Sequence, residues 1–171
     1  HKQFRFLNNK LHGAYKLWYR SGKRRVSGHW VHGKKHGKWT TWHISGQKIE
    51  QLVYENGEPN GEWKKWWSNG KIKQRSLWFY GQAHGQEQRW YRSGSLMRKR
   101  FYLAGKKHGL ERSWHANGKM ASRMTFSMGK PSGLKQLWHS NGVLALKGKL
   151  HQGQKIGVWK QWHPNGVIRS L

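Results

Sequence analysis

Six carboxylates and twelve histidines are the side chains best suited to acid–base or metal chemistry in this sequence. Paired carboxylates would serve hydrolysis, but the acids are Glu50, Glu55, Glu58, Glu62, Glu87 and Glu111, four of them crowded into one stretch. Among 34 Lys and Arg, the ordinary use of such groups is ion pairing with neighbouring cations. Asp and Cys are both absent, and no orienting acid recurs with the Ser and His residues, so triads and thiolate chemistry have nothing to draw on. No catalytic residue is assigned, and the chain reads as a non-enzyme. The histidines fall into recurring slots: His12, His36, His84 and His108 share one, and His43, His115, His139 and His163 share another. Equivalent residues two strands apart lie roughly 10 Å from each other, too far to share an ion at a Zn–N distance of about 2.0–2.1 Å. They read as turn and packing residues, with no metal and no cofactor expected.

The chemistry that remains is charge. A formal net charge of +28 makes self-repulsion large, and an anionic partner relieves it. The cations recur along the chain: Lys34, Lys35, Lys106 and Lys107 in one short polar segment, and Lys23, Arg24, Arg25, Arg98, Lys99 and Arg100 on the strand that follows a turn. Part of this charge serves solubility of a flat sheet, but the excess points to these ten residues as ligands of a polyanion. Anionic lipid or lipopolysaccharide rewards each nearby cation by roughly 1 kcal/mol. Nucleic acid offers phosphates to the cations and bases to the aromatics, and an acidic glycan offers carboxylates and sugar faces. The competing class is a scaffold or antitoxin that recognises an acidic protein.

The elements that must carry these residues are legible as a repeat. Glycine falls in three columns advancing by 24 residues: Gly33, Gly57, Gly81, Gly105, Gly129 and Gly153, with Asn9 in the opening copy; Gly13, Gly37, Gly61, Gly85, Gly109, Gly133 and Gly157; and Gly22, Gly46, Gly70, Gly94, Gly118, Gly142 and Gly166. Only Gly28 and Gly148 stand outside them. Five residues past each second glycine stands Trp18, Trp42, Trp66, Trp90, Trp114, Trp138 or Trp162, one slot that is tryptophan in all seven copies and is taken as structural. Ser or Asn precedes every third glycine, a hairpin signal between β-formers. The polar stretch between the first two glycines, such as Lys34-Lys35-His36, supplies the second turn, so each copy holds two strands.

The strand after the Asn/Ser-Gly turn reaches an aromatic or apolar slot: Phe6, Trp30, Tyr54, Trp78, Tyr102, Phe126 and Leu150. Trp39, Trp63 and Trp159 lie three residues before the fixed Trp, so strict alternation puts them on the opposite face, unless a bulge intervenes. Frequent glycine and the lack of a 3.6-residue period argue against helices. The expectation is an all-β, elongated, single-layer antiparallel meander of seven hairpin repeats, one array over 1–171 with units near 1–28, 29–52, 53–76, 77–100, 101–124, 125–148 and 149–171. At about 4.8 Å per strand it would extend roughly 65 Å.

The run Gly61-Glu62-Trp63-Lys64-Lys65-Trp66-Trp67-Ser68-Asn69-Gly70 resembles the bacterial variant of the MORN repeat, the variant found in YwqK-type antitoxin-like proteins. That resemblance covers essentially the whole chain and implies a sheet with aromatic rows, a scaffold, lipid-binding or toxin-neutralising role, and no catalytic residues. The fixed aromatic of the family is usually Tyr, and here it is Trp. Apolar runs fall short of the roughly 20 residues that span a bilayer. A first residue other than Met fits a trimmed chain or a mature one without its signal peptide; the reading leans to export and leaves the cytoplasm open. End strands without polar caps leave open end-to-end self-association.

Overall fold

The computed structural model describes residues 1–169, and among them no helix occurs. The strands are β1 (Lys2–Leu7), β2 (Lys10–Trp18), β3 (Arg24–Val31), β4 (Lys34–Trp42), β5 (Lys48–Glu55), β6 (Glu58–Trp66), β7 (Ile72–Phe79), β8 (Gln82–Trp90), β9 (Leu96–Leu103), β10 (Lys106–Lys107), β11 (Gly109–Trp114), β12 (Met120–Ser127), β13 (Lys130–Trp138), β14 (Leu144–His151) and β15 (Gln154–Gln161). They fall into two compact units, one over His1–Ala83 and one from His84 onward. In the first, β1 to β7 pair antiparallel in sequence order. In the second, β8, most of which lies there, is followed by β9, β11, β12, β13, β14 and β15 in the same manner, while the short β10 pairs with β9. This is the all-β antiparallel meander of hairpins that the repeat predicts.

Two kinds of turn alternate, each with its own chemistry. At the Asn/Ser-Gly sites a three-residue loop closes: Gly22 N donates to Tyr19 O at 3.0 Å and Tyr19 N to Lys23 O at 2.8 Å. Only the glycine is left-handed there, as in a type I turn followed by a bulge. The residue before it contributes through its side chain, since Asn117 Oδ1 accepts from Lys119 N at 3.1 Å and Asn141 Oδ1 from Val143 N at 3.0 Å.

The second turn differs from the sequence expectation. It is not made by Lys34-Lys35-His36, which begin β4, but by the two residues before them. His32 (φ 48) and Gly33 (φ 78) are both left-handed, the two-residue turn whose twist matches the strands it joins. Only Asn8 and Asn56 bring a side chain suited to the first of these positions; elsewhere it is held by His32, Tyr80, Ala104, Met128 or Gln152. An ordinary residue in this conformation costs about 1–2 kcal/mol, and Asn tolerates it better. Met128→Asn is therefore expected to stabilise the protein by about 0.5–1 kcal/mol, read as a raised midpoint in chemical denaturation.

The second glycine column sits inside strands, where the register slips by two. Ser27 pairs with Thr40 and His29 with His36, so Gly37 to Trp39 face Gly28 alone. Gly37 is left-handed there (φ 64), and across the next strand it lies opposite Tyr54. The same relation puts Gly13 opposite Trp30, Gly109 opposite Phe126 and Gly133 opposite Leu150. What these positions require is left-handed backbone and not space, since a Cβ at Gly13, Gly37 or Gly109 would meet nothing within 4 Å. Burial is shallow: Trp39, Phe126 and Leu150 are the buried hydrophobics, and among the described residues no side chain is fully enclosed.

Candidate functional site

Residues paired across antiparallel strands share a face, and the pairing register separates the predicted cations. Lys34 and Lys35 are consecutive in β4, so their side chains leave opposite faces. Lys35 Nζ lies 4.8 Å from the Trp39 ring centre and 4.9 Å from that of Tyr54. Lys106 and Lys107 part in the same way, and Lys107 Nζ lies 4.5 Å from Phe126 and 3.3 Å from Glu111 Oε2. Arg24 lies over Trp42 at 5.6 Å and Arg25 over Tyr19 at 5.8 Å, while Lys23 Nζ donates to Ser45 O at 3.3 Å. In the triplet Arg98-Lys99-Arg100 only Lys99 is exposed; Arg98 is half-buried and Arg100 is buried. The ten residues therefore do not form one stripe.

On the face of Lys35, a row crosses the first unit through Tyr15, Gly28, Trp39, Leu52, Trp63 and Ser76, linked by the pairs Tyr15–Gly28, Trp39–Leu52, Leu52–Trp63 and Trp63–Ser76. Its rings touch: Tyr15 and Trp39 centres are 5.4 Å apart, Trp30 and Trp39 5.2 Å, Trp39 and Tyr54 6.3 Å, Trp63 and Trp78 5.4 Å. Trp39 and Trp63 thus join the Trp30 and Tyr54 slots, and the fixed Trp column takes the opposite face by alternation. Trp42 and Trp66 are half-buried, each under a cation, Arg24 in one case and Lys48 at 5.8 Å in the other. The most buried tryptophan is Trp39, outside the fixed column.

In the second unit three of the four equivalent slots carry charge, Glu87, Glu111 and Lys135, and the fourth is Trp159. Glu87 and Glu111 occupy the place of Trp39 and clasp Arg100: its Nη2 is 2.7 Å from Glu87 Oε1 and its Nη1 3.7 Å from Glu111 Oε2. Arg89 Nε reaches the same Glu87 oxygen at 2.9 Å. In the first unit, Glu62 pairs with Lys64 and Arg75, and Glu50 with Lys65 and the Trp63 indole N–H. Burial is the main cause that holds the phenols of Tyr54 and Tyr102 above their ordinary pKa, with Glu50 adding to it at Tyr54 and Glu87 at Tyr102.

The histidines serve the backbone. His115 Nε2 donates to Trp138 O and His139 Nε2 to Trp162 O, both at 2.9 Å, as the Tyr19 and Tyr91 hydroxyls do to Trp42 O and Trp114 O at 2.8 Å. The slot after the fixed Trp is thus a rung to the next repeat. Among the described residues no three His or Glu side chains converge on one point.

A row that sequence adjacency conceals lies on the opposite face of the second unit. The pairs Lys99–Arg112, Arg112–Arg123, Arg123–Gln136, Gln136–Lys147 and Lys147–Lys160 run straight across β9, β11, β12, β13, β14 and β15. All five cations are exposed, and among the described residues none meets a carboxylate. Five strand spacings of about 4.8 Å give a track of about 24 Å. Beside it on the same face stand exposed apolar residues, Phe101, Leu134 and Val158 among them. The signal was present in the sequence as the 24-residue recurrence Lys99, Arg123, Lys147 and as Arg112 with Lys160 two copies on. Joining the two columns requires the bulged register.

The family model for the MORN repeat variant matches residues 59–78, 83–104, 107–127 and 155–171, each beginning ahead of a fixed Trp and running past the Asn/Ser-Gly turn. No curated protein matches the chain.

Proposed function

Since the chain is a MORN-variant repeat protein, we propose that it is a binding protein without catalytic activity and that its ligand is a polyanion held along the track Lys99, Arg112, Arg123, Lys147 and Lys160. The observation that carries this reading is the track itself: five exposed cations in line, with no acid between them. A solvated surface would intersperse both signs. Among anionic ligands, the neighbouring apolar residues favour a lipid surface, where phosphates meet the cations and Phe101, Leu134 and Val158 enter the interface. At roughly 1 kcal/mol per cation, such a track contributes about 5 kcal/mol at low salt.

The test is a tryptophan-fluorescence titration with anionic and zwitterionic vesicles, single- and double-stranded DNA, and heparin, each at low and physiological salt. Arg112→Gln combined with Arg123→Gln is expected to weaken binding to anionic vesicles at least about tenfold. Removing the same charge at Lys34 and Lys38 in the first unit should change it much less. Equal losses from both pairs, or binding that vanishes at physiological salt, would reduce the charge to a solvated surface.

A further inference from the structure

We infer that the aromatic cleft of the first unit is a separate binding site and that its ligand is an acidic saccharide. The cleft has a volume of about 310 Å³ and is lined by Tyr15, Trp30, Lys35, Trp39, Glu50 and Tyr54 together with smaller side chains. That is the lower range of small-ligand sites, which combine apolar walls with a few placed polar groups. The walls are held in advance of any ligand: Trp39 lies flat on Gly28, where a Cβ would come within 2.2 Å of its ring, and Trp30, Tyr15 and Tyr54 brace its edges.

Two polar groups define the chemistry. Lys35 holds its ammonium above the Trp39 and Tyr54 rings, and among the described residues no carboxylate pairs with it. Glu50 is oriented as an acceptor by the Trp63 indole N–H at 2.6 Å and Lys65 at 3.4 Å. A pyranose bearing a carboxylate answers all of these together. Its C–H face covers the rings, its carboxylate meets Lys35, and its hydroxyls engage Glu50. An isolated phosphate would use Lys35 alone and leave the rings uncovered. A purely apolar ligand would strip water from Lys35 and Glu50 without replacing it. A cationic ligand would have to displace Lys35 against a chain of net charge +28.

The cleft shares no residue with the cation track, so either reading can fail alone. The test is a fluorescence titration at physiological salt with a galacturonate trimer, a neutral glucose trimer of the same length, and inorganic phosphate. Two variants with identical loss of charge are compared, Lys35→Gln and Lys34→Gln, which leave opposite faces of β4, with unchanged circular dichroism as the check of folding. The expected result is saturable binding of the galacturonate trimer, weakened about tenfold or more by Lys35→Gln and less than about twofold by Lys34→Gln, with the neutral trimer at least about tenfold weaker. The doubly substituted track variant, Arg112→Gln with Arg123→Gln, should bind the galacturonate trimer as the parent does. Equal losses in the two lysine variants, equal binding of the neutral trimer, or no saturation would overturn the proposal.

Discussion

Arg100→Ala is expected to lower the unfolding free energy by about 3–5 kcal/mol, because it removes the partner of two buried carboxylates at once. Glu87, Arg100 and Glu111 are exposed by only 6%, 9% and 9%. Arg100 gives Glu87 two donors, Nε at 2.9 Å and Nη2 at 2.7 Å, and turns its third nitrogen towards Glu111. Water does not replace a guanidinium at such a place, and a charge left unpaired there is costly. Arg89 still reaches Glu87 and Lys107 still reaches Glu111, so the lower end of the range is the better expectation. Urea denaturation measures it, and a loss below about 1 kcal/mol would mean that the clasp is hydrated. Substituting all three residues by apolar side chains of similar volume is expected to cost far less than Arg100→Ala alone, since the carboxylates then go with their partner.

Gly28→Ala should cost about 3 kcal/mol or more, as much as truncating a large core side chain, although it adds only a methyl group. The added Cβ would lie 2.2 to 2.6 Å from three atoms of the Trp39 indole, and ring atoms fixed by neighbours on several sides cannot yield as the end of a flexible chain does. Either the indole leaves the cleft or β3 moves away from β4. Near-ultraviolet circular dichroism should lose the signal of the packed indoles along with the stability. The cause is isolated by a double-mutant cycle: in a Trp39→Leu background, Gly28→Ala should cost under about 1 kcal/mol. An unchanged cost in that background would place the strain in the backbone instead of the ring. Gly148 repeats the arrangement beneath Trp159, with a Cβ again 2.2 Å from the ring.

These two predictions also mark how far the sequence could be read. Gly28 and Gly148 were visible as the two glycines outside the columns, yet nothing in the sequence paired them with Trp39 and Trp159. The pairing follows from a bulge that sets three residues of one strand against a single residue of the next. The bulge also brings Trp39 beside Trp30 and Tyr54. Adjacency in the sequence puts Arg100 with Arg98 and Lys99 as a surface ligand. Alternation along β9 sends Arg100 inward to Glu87 and leaves Lys99 outside, where it begins a row with Arg112. Polarity marks loops and so points to Lys34-Lys35-His36 for the second turn, whereas the chain reverses at His32-Gly33 and its counterparts, including pairs as unlike a turn as Tyr80-Gly81 and Met128-Gly129.

The sequence by itself determined the repeat, the antiparallel hairpin architecture and the sites of the three-residue turns. These depend on local conformational preference: glycine for left-handed backbone, Asn and Ser for turn hydrogen bonds, and β-forming residues between them. Only the tertiary structure decided which residues meet. A side chain's face changes with every residue of register, and each repeat inserts bulges that strand propensities do not count. The aromatic cleft, the Glu87–Arg100–Glu111 clasp and the cation track all depend on that register, and each gathers residues that lie on different strands.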